Sequence, residues 1–455
     1  MPDLPRAQYL RRRLSPPSLR VRRRLRSPLG MVRGHTPAVR SSAQPPRGAA
    51  RRDPVAARGA RQPFGGHRRR SGMTAPRLDL PVGAMPDANR IYQAAEVLDW
   101  NGASGAQIHR DYVLFLADQL GVALAQVPKP VADRLRGALD TLPDQNWLRL
   151  VTAPRITYRL LWPSRHSAAD IADALGAALA VEKARANAGA ATDKAFSPPP
   201  QTLWSAVGDG WLGPDGGFVA GPALPGLPPL DFFSPHALAI DIDGEIDEVD
   251  VPRSPYPSAE TRQILSLLSD VRERLVTTNP RIAGFVEAFT KSLVLQQDPQ
   301  APDLFSTGSS AQYVGRSVMG NPHLSKVDSA LLAEGLVHEA IHSLLYMSER
   351  LEPWVNNEEV YGPELRTRSE WTGNPLPLRS YLQACFVWYG LAMFWAQAFA
   401  RGTFEAERAR ARLEQALRGF LKGHVLDQVR PFAEHINSEV LDTIDTLQGR
   451  VRDAL

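Results

Sequence analysis

The segment Asp328–Tyr346, DSALLAEGLVHEAIHSLLY, leaves this protein few choices. Leu331, Leu332, Leu336, Ile341, Leu344 and Leu345 leave little polar surface on one helix, and Asp328 is placed to cap its first turn. Inside this apolar helix lie His338, Glu339 and His342, an HExxH sequence. Such a polar trio is costly to bury unless it is paired or bound to a metal. Residues four apart stand above one another on a helix, so His338 and His342 can offer both imidazoles to one ion. Glu339 sits one step round, on the ion's open side, where a carboxylate can exchange protons. Glu334 lies one turn before His338 on the same face, as an acceptor for its ring or as a solvated group.

With 43% hydrophobic residues among 455, the sequence is able to bury a sizeable core and should hold two or three structural units. Cys385, the single cysteine, excludes an intramolecular disulfide and a cysteine-based zinc cluster, and suits a reducing, cytoplasmic setting. No stretch supplies the ~18 uninterrupted apolar residues of a membrane helix. The formal charge of +5 misleads, because residues 1–72 hold 19 Arg, no Lys and two acids. The remainder is acidic, so nucleic acid is not an expected partner. Residues 1–72 lack apolar periodicity and read as a disordered Arg-rich extension. The readings open to it are a basic tail for acidic partners, an organellar transit peptide, or translated upstream GC-rich sequence; arginine without lysine favours the last, which makes Met73 or Met85 the natural start.

The expected fold is mainly α with a small β element (α+β), the HExxH metal helix being flanked by an edge strand and C-terminal helices. Residues 73–187 read as a helical lobe, with His109 and His166 on its surface, and 188–235 as a Gly/Pro-rich linker or surface loop. Residues 236–455 form the HExxH metal-site domain. It opens on alternating apolar and acidic residues, two short strands turning at Asp243-Gly244, whose spacing does not match a calcium loop. Helices are expected at 258–276 and 281–296, the second after Asn279-Pro280. The stretch Phe305–Met319 is small and polar, then strand-like, and is placed either as an edge strand along the cleft, where an extended peptide could add near Gln312 to Met319, or as a plain connecting strand. An aromatic helix follows at 380–395, then amphipathic helices at about 403–422 and 425–453.

Two reaction classes fit two histidines on a helix. A zinc peptidase would use Glu339 as general base and a third Glu, Asp or His as ligand. Asn357-Glu358 is a partial echo of the glutamate-type pattern, and no third metzincin-type His follows. A ferrous site would instead keep one face open for 2-oxoglutarate and oxygen.

The segments Leu336–Tyr346, Trp371–Leu378 (WTGNPLPL) and Ala384–Leu391 (ACFVWYGL) together resemble the HExxH-motif peptide-modification proteins that accompany ribosomally made peptides. That family is understood as iron- and 2-oxoglutarate-dependent peptide β-hydroxylases. The resemblance covers roughly residues 300–425 and implies His338 and His342 as iron ligands, with Glu339 as a polar or acid/base group beside the metal. It also implies Fe(II) and 2-oxoglutarate as cofactors, with Zn as the alternative, and a ribosomally made precursor peptide as partner. The family's third ligand does not carry over: relatives place His where this sequence has Gln383 or Trp388, which leaves Gln383, Glu364 and Glu370 as candidates. Nor does its arginine near Asn374-Pro375, for which Arg379 and Arg418 are the nearby substitutes. A scaffold that has lost turnover is the third class these departures allow.

Overall fold

In the computed structural model the described residues are 89–188, 202–235, 240–242, 245–247, 256–298, 301–356 and 366–453. The Arg-rich extension, the alternative starts, Glu358 and Glu364 lie outside them. The described part is mainly helical with small sheets. Six helices come first: α1 (Arg90–Val97), α2 (Ala106–Gln126), α3 (Lys129–Asp140), α4 (Asp144–Val151), α5 (Pro154–Leu161) and α6 (Ala168–Asn187). A hairpin, β1 (Gly210–Leu212) and β2 (Phe218–Ala220), and the short β3 (Leu230–Asp231) follow. The strands read around Asp243-Gly244 are present as β4 (Ile240–Ile242) against β5 (Glu245–Asp247).

Residues 202–235 are not a free linker. Trp204, Trp211, Leu230, Phe232 and Phe233 are all buried, because Gly and Pro break helices without preventing aromatic side chains between them from packing. A second correction concerns 281–296. Helix α7 (Ser258–Thr278) is followed by α8 (Pro280–Phe289), which starts at Pro280 with the Asn279 side chain accepting from Arg281 N at 2.9 Å. The backbone then turns into β6 (Ser292–Gln296). Leu293-Val294-Leu295 is a short continuous apolar run, fitting a strand covered on both faces.

Strand β6 is central to a four-stranded sheet with β7 (Ser306–Ser309) and β8 (Arg316–Gly320), in the order β3-β6-β8-β7. β6 runs parallel to β3 and β8, and β7 antiparallel to β8. The stretch 305–319 thus supplies an edge strand, β7, whereas its second half, expected to face the peptide, enters the inner strand β8, hydrogen-bonded on both sides.

Helix α9 (Ser329–Leu351) carries the HExxH residues, and Asp328 caps it by accepting from Leu331 N at 2.9 Å. It packs against α1, α2, α7 and α8 and against β7 and β8. Its last large neighbour is the aromatic helix α10 (Leu378–Ala400), reached through the small pair β9 (Arg366–Arg368) and β10 (Pro375–Pro377). Helices α11 (Ala406–Lys422) and α12 (Ser438–Asp453) complete the fold, with a 3-10 turn at Arg430–His435 in place of the first part of the helix expected at 425–453. Trp100, just after α1, donates from Nε1 to Gly390 O at 3.1 Å, so the N-terminal helices share a core with α10.

Glu334 on α9 neither orients His338 nor meets solvent. It accepts from Trp395 Nε1 at 2.7 Å and Arg412 Nε at 2.6 Å, which joins α9, α10 and α11 through a satisfied carboxylate. His109 is likewise buried rather than superficial, its Nε2 accepting from Lys291 Nζ at 2.7 Å. Burial, then the Lys291 charge, lowers its pKa to about 3, and burial lowers that of Lys291 to about 8.

Gly335 lets α9 approach β7: a Cβ there would stand 2.7 Å from Thr307 Cγ2. Gly335→Val should cost about 1–3 kcal/mol by overpacking that contact. Gly284→Ala in α8, where a Cβ meets open space, should instead gain about 0.5–1 kcal/mol. Urea unfolding of the two variants checks the pair of signs.

Candidate functional site

The helical spacing does what it promised for His338 and His342. Their rings lie on one face of α9 with centroids 4.9 Å apart and planes at 57°. One turn on, the Tyr346 ring stacks on His342 at 5.7 Å and 18°. The His338 side chain is 23% exposed and that of Glu339 only 3%, so the face opens to solvent at His338 and is closed around the carboxylate.

Strand β7 supplies the closing wall. Alternate residues of a strand face one way, and Thr307 and Ser309 both turn toward α9. Thr307 Oγ1 donates to Glu339 Oε1 at 2.7 Å, and the same oxygen lies 4.0 Å from His338 Nε2. The Ser309 hydroxyl is close enough to bias the ionisation of both Glu339 and Tyr346, although it forms no well-aligned hydrogen bond. Burial raises the Glu339 pKa, opposed by His342, Ser309 and Thr307. Burial also lowers both imidazoles to about 4, which leaves them neutral at pH 7.

Helix α10 holds His342 from the other side. Gln383, 2% exposed, sets its Oε1 3.0 Å from His342 Nδ1. The oxygen of Gln383, a candidate ligand from the sequence, thus faces the imidazole of His342. Glu370 is engaged by Lys422 at 3.1 Å and by Gln428. Arg418 is exposed. Arg379 donates from Nε to Glu349 Oε2 at 2.8 Å and is near enough to Tyr346 to draw its pKa down against the upward push of burial.

Two neutral imidazoles on one helix face suit a transition metal, and the Gln383 contact is the kind of outer hydrogen bond that ligating histidines make. Among the described residues no set of three His, Cys, Asp or Glu side chains comes together as a complete metal site. The donor set is thus a histidine pair with Glu339 alongside. Thr307, Ser309 and Tyr346 were not singled out from the sequence. Tyr346 had a signal, the four-residue step 338, 342, 346, whereas the two strand residues had none before the sheet was known. Neither a protein-family model nor a curated protein matches this sequence.

The histidines predict an acid limb of stability. Each has a folded pKa near 4 against 6.5 when free, so as pH falls from 6.5 toward 4 the unfolded state binds protons that the folded state refuses. Stability present above pH 6.5 is therefore lost across that window, with partly exposed His338 contributing less than His342. In chelator-treated protein, the double variant His338→Gln/His342→Gln should show a shallower decline of the urea midpoint between pH 6.5 and 4 than wild type.

Proposed function

We propose that this protein is a peptide-modifying metalloenzyme that hydroxylates the β-carbon of a residue in a ribosomally made peptide, using Fe(II) and 2-oxoglutarate. The observation that carries the reading is the neutral His338/His342 pair, held from behind by Gln383 and set beside a sheet edge. The resemblance of the three sequence segments chooses among the chemistries such a pair allows.

The histidine nitrogens would hold the metal. Ferrous iron with 2-oxoglutarate and oxygen supplies the oxidising power that converts an aliphatic C–H bond into C–OH. The protein's own part is positioning. An extended peptide can pair with the edge of β7 that carries no strand partner among the described residues, where Ser306-Thr-Gly-Ser309 offers small side chains and backbone donors and acceptors. Within 305–319 the peptide would then lie along 306–309 rather than near 312–319, because only an edge accepts a further strand. Glu339, held by Thr307, can accept or return a proton at the carboxylate oxygen nearest His338.

The raised pKa of Glu339, and its place beside the histidines, favour a second reading, a zinc peptidase with Glu339 as general base. One variant separates them. Incubation with Fe(II), ascorbate and 2-oxoglutarate should release succinate from wild type, none from His338→Ala, and an appreciable amount from Glu339→Gln. In a peptidase, Glu339→Gln should lose about 10²–10⁴-fold of zinc-dependent peptide cleavage. Zinc-dependent cleavage without succinate would replace the hydroxylase reading.

A further inference from the structure

We propose that Gln383 is a positioning residue that fixes the tautomer of His342, accepting its Nδ1–H so that Nε2 keeps a bare lone pair. The inference rests on the reading of His338 and His342 as a metal pair, and it extends that reading to the residue that makes the second histidine a ligand.

Gln383 sits in an apolar stretch of α10, between Leu382 and Cys385-Phe386, and all four side chains are buried. A carboxamide there costs more than a leucine unless its hydrogen bonds are made. Its oxygen has one polar contact, His342 Nδ1 at 3.0 Å, and its Nε2 is buried with no hydrogen-bond partner. A glutamine kept for packing would be better replaced by leucine or methionine. Its polar atom facing the HExxH helix is used on the imidazole.

The two ring nitrogens of a neutral histidine have opposite roles, and whichever is protonated cannot bind a metal. In water the Nε2–H form is the commoner one, in which Nε2 is blocked. A carbonyl-type oxygen at Nδ1 reverses that preference by holding the proton on the helix α10 side. Tyr346, stacked against the ring, limits rotation that would exchange the nitrogens. His338 has no comparable contact: its Nε2 lies 4.0 Å from Glu339 Oε1, beyond hydrogen-bond distance.

The test uses the full-length protein labelled with ¹⁵N-histidine and read by long-range nitrogen–proton correlation without metal. The expected spectrum of wild type shows His342, assigned by its loss in His342→Gln, as the Nδ1–H tautomer. Gln383→Leu should shift it to Nε2–H and weaken Co(II) and Zn(II) binding about 10–100-fold in chelator competition. Gln383→Glu, which keeps an acceptor at that position, should restore the Nδ1–H form and most of the affinity. An Nε2–H ring in wild type overturns the inference without any variant. Gln383→Leu protein that keeps both the tautomer and wild-type affinity overturns it as well. Wild type that shows Nδ1–H but binds neither metal refutes the metal-pair reading while leaving Gln383 as the group that sets the ring.

Discussion

Everything in this structure is arranged around the cost of placing His338, Glu339 and His342 on the most enclosed helix of the fold. Between Ala330 and Glu349 nearly every residue of α9 is buried, so each polar group there must find a partner or remain neutral. Glu334 finds Trp395 and Arg412, Glu339 finds Thr307, and His342 finds Gln383. His338 keeps an open edge. Three different elements, β7, α10 and α11, are thereby tied to one helix through polar contacts, and their positions follow from what α9 buries.

The same requirement explains why the site has two unlike walls. On the sheet side, Gly335 brings α9 so close to β7 that Thr307 reaches Glu339. On the helix side, Gly390 does the corresponding work, since a Cβ there would stand 2.7 Å from Ile341 Cδ1. Close approach on both sides keeps Glu339 and His342 from water, and burial then sets their ionisation. A neutral imidazole pair beside a carboxylate of raised pKa is a poor arrangement for stability and a useful one for holding a metal and moving a proton.

Local signals in the sequence carried the helices well. The Asp328 cap, the Asn279-Pro280 start and the apolar period of α9 are all formed by residues next to one another along the backbone, and each is present in the fold. What depended on distant partners was less readable. Leu293-Val294-Leu295 extended a helical pattern until two flanking strands made it a sheet centre, and His109 looked superficial because its partner, Lys291, is 182 residues away. The pair His338/His342 was visible from spacing alone, but the supports at Thr307 and Gln383 were not, since only packing brings those residues to α9. No helix among the described residues is long and apolar enough to cross a membrane.

The central claim is that His338 and His342 hold ferrous iron with a face left open for 2-oxoglutarate. Metal-free protein, loaded anaerobically with Fe(II) and then given 2-oxoglutarate, tests it in one cuvette. The account predicts a visible charge-transfer band that saturates with one equivalent of iron and disappears in His338→Ala. Absence of the band in wild type, with tightly retained zinc in its place, would contradict it.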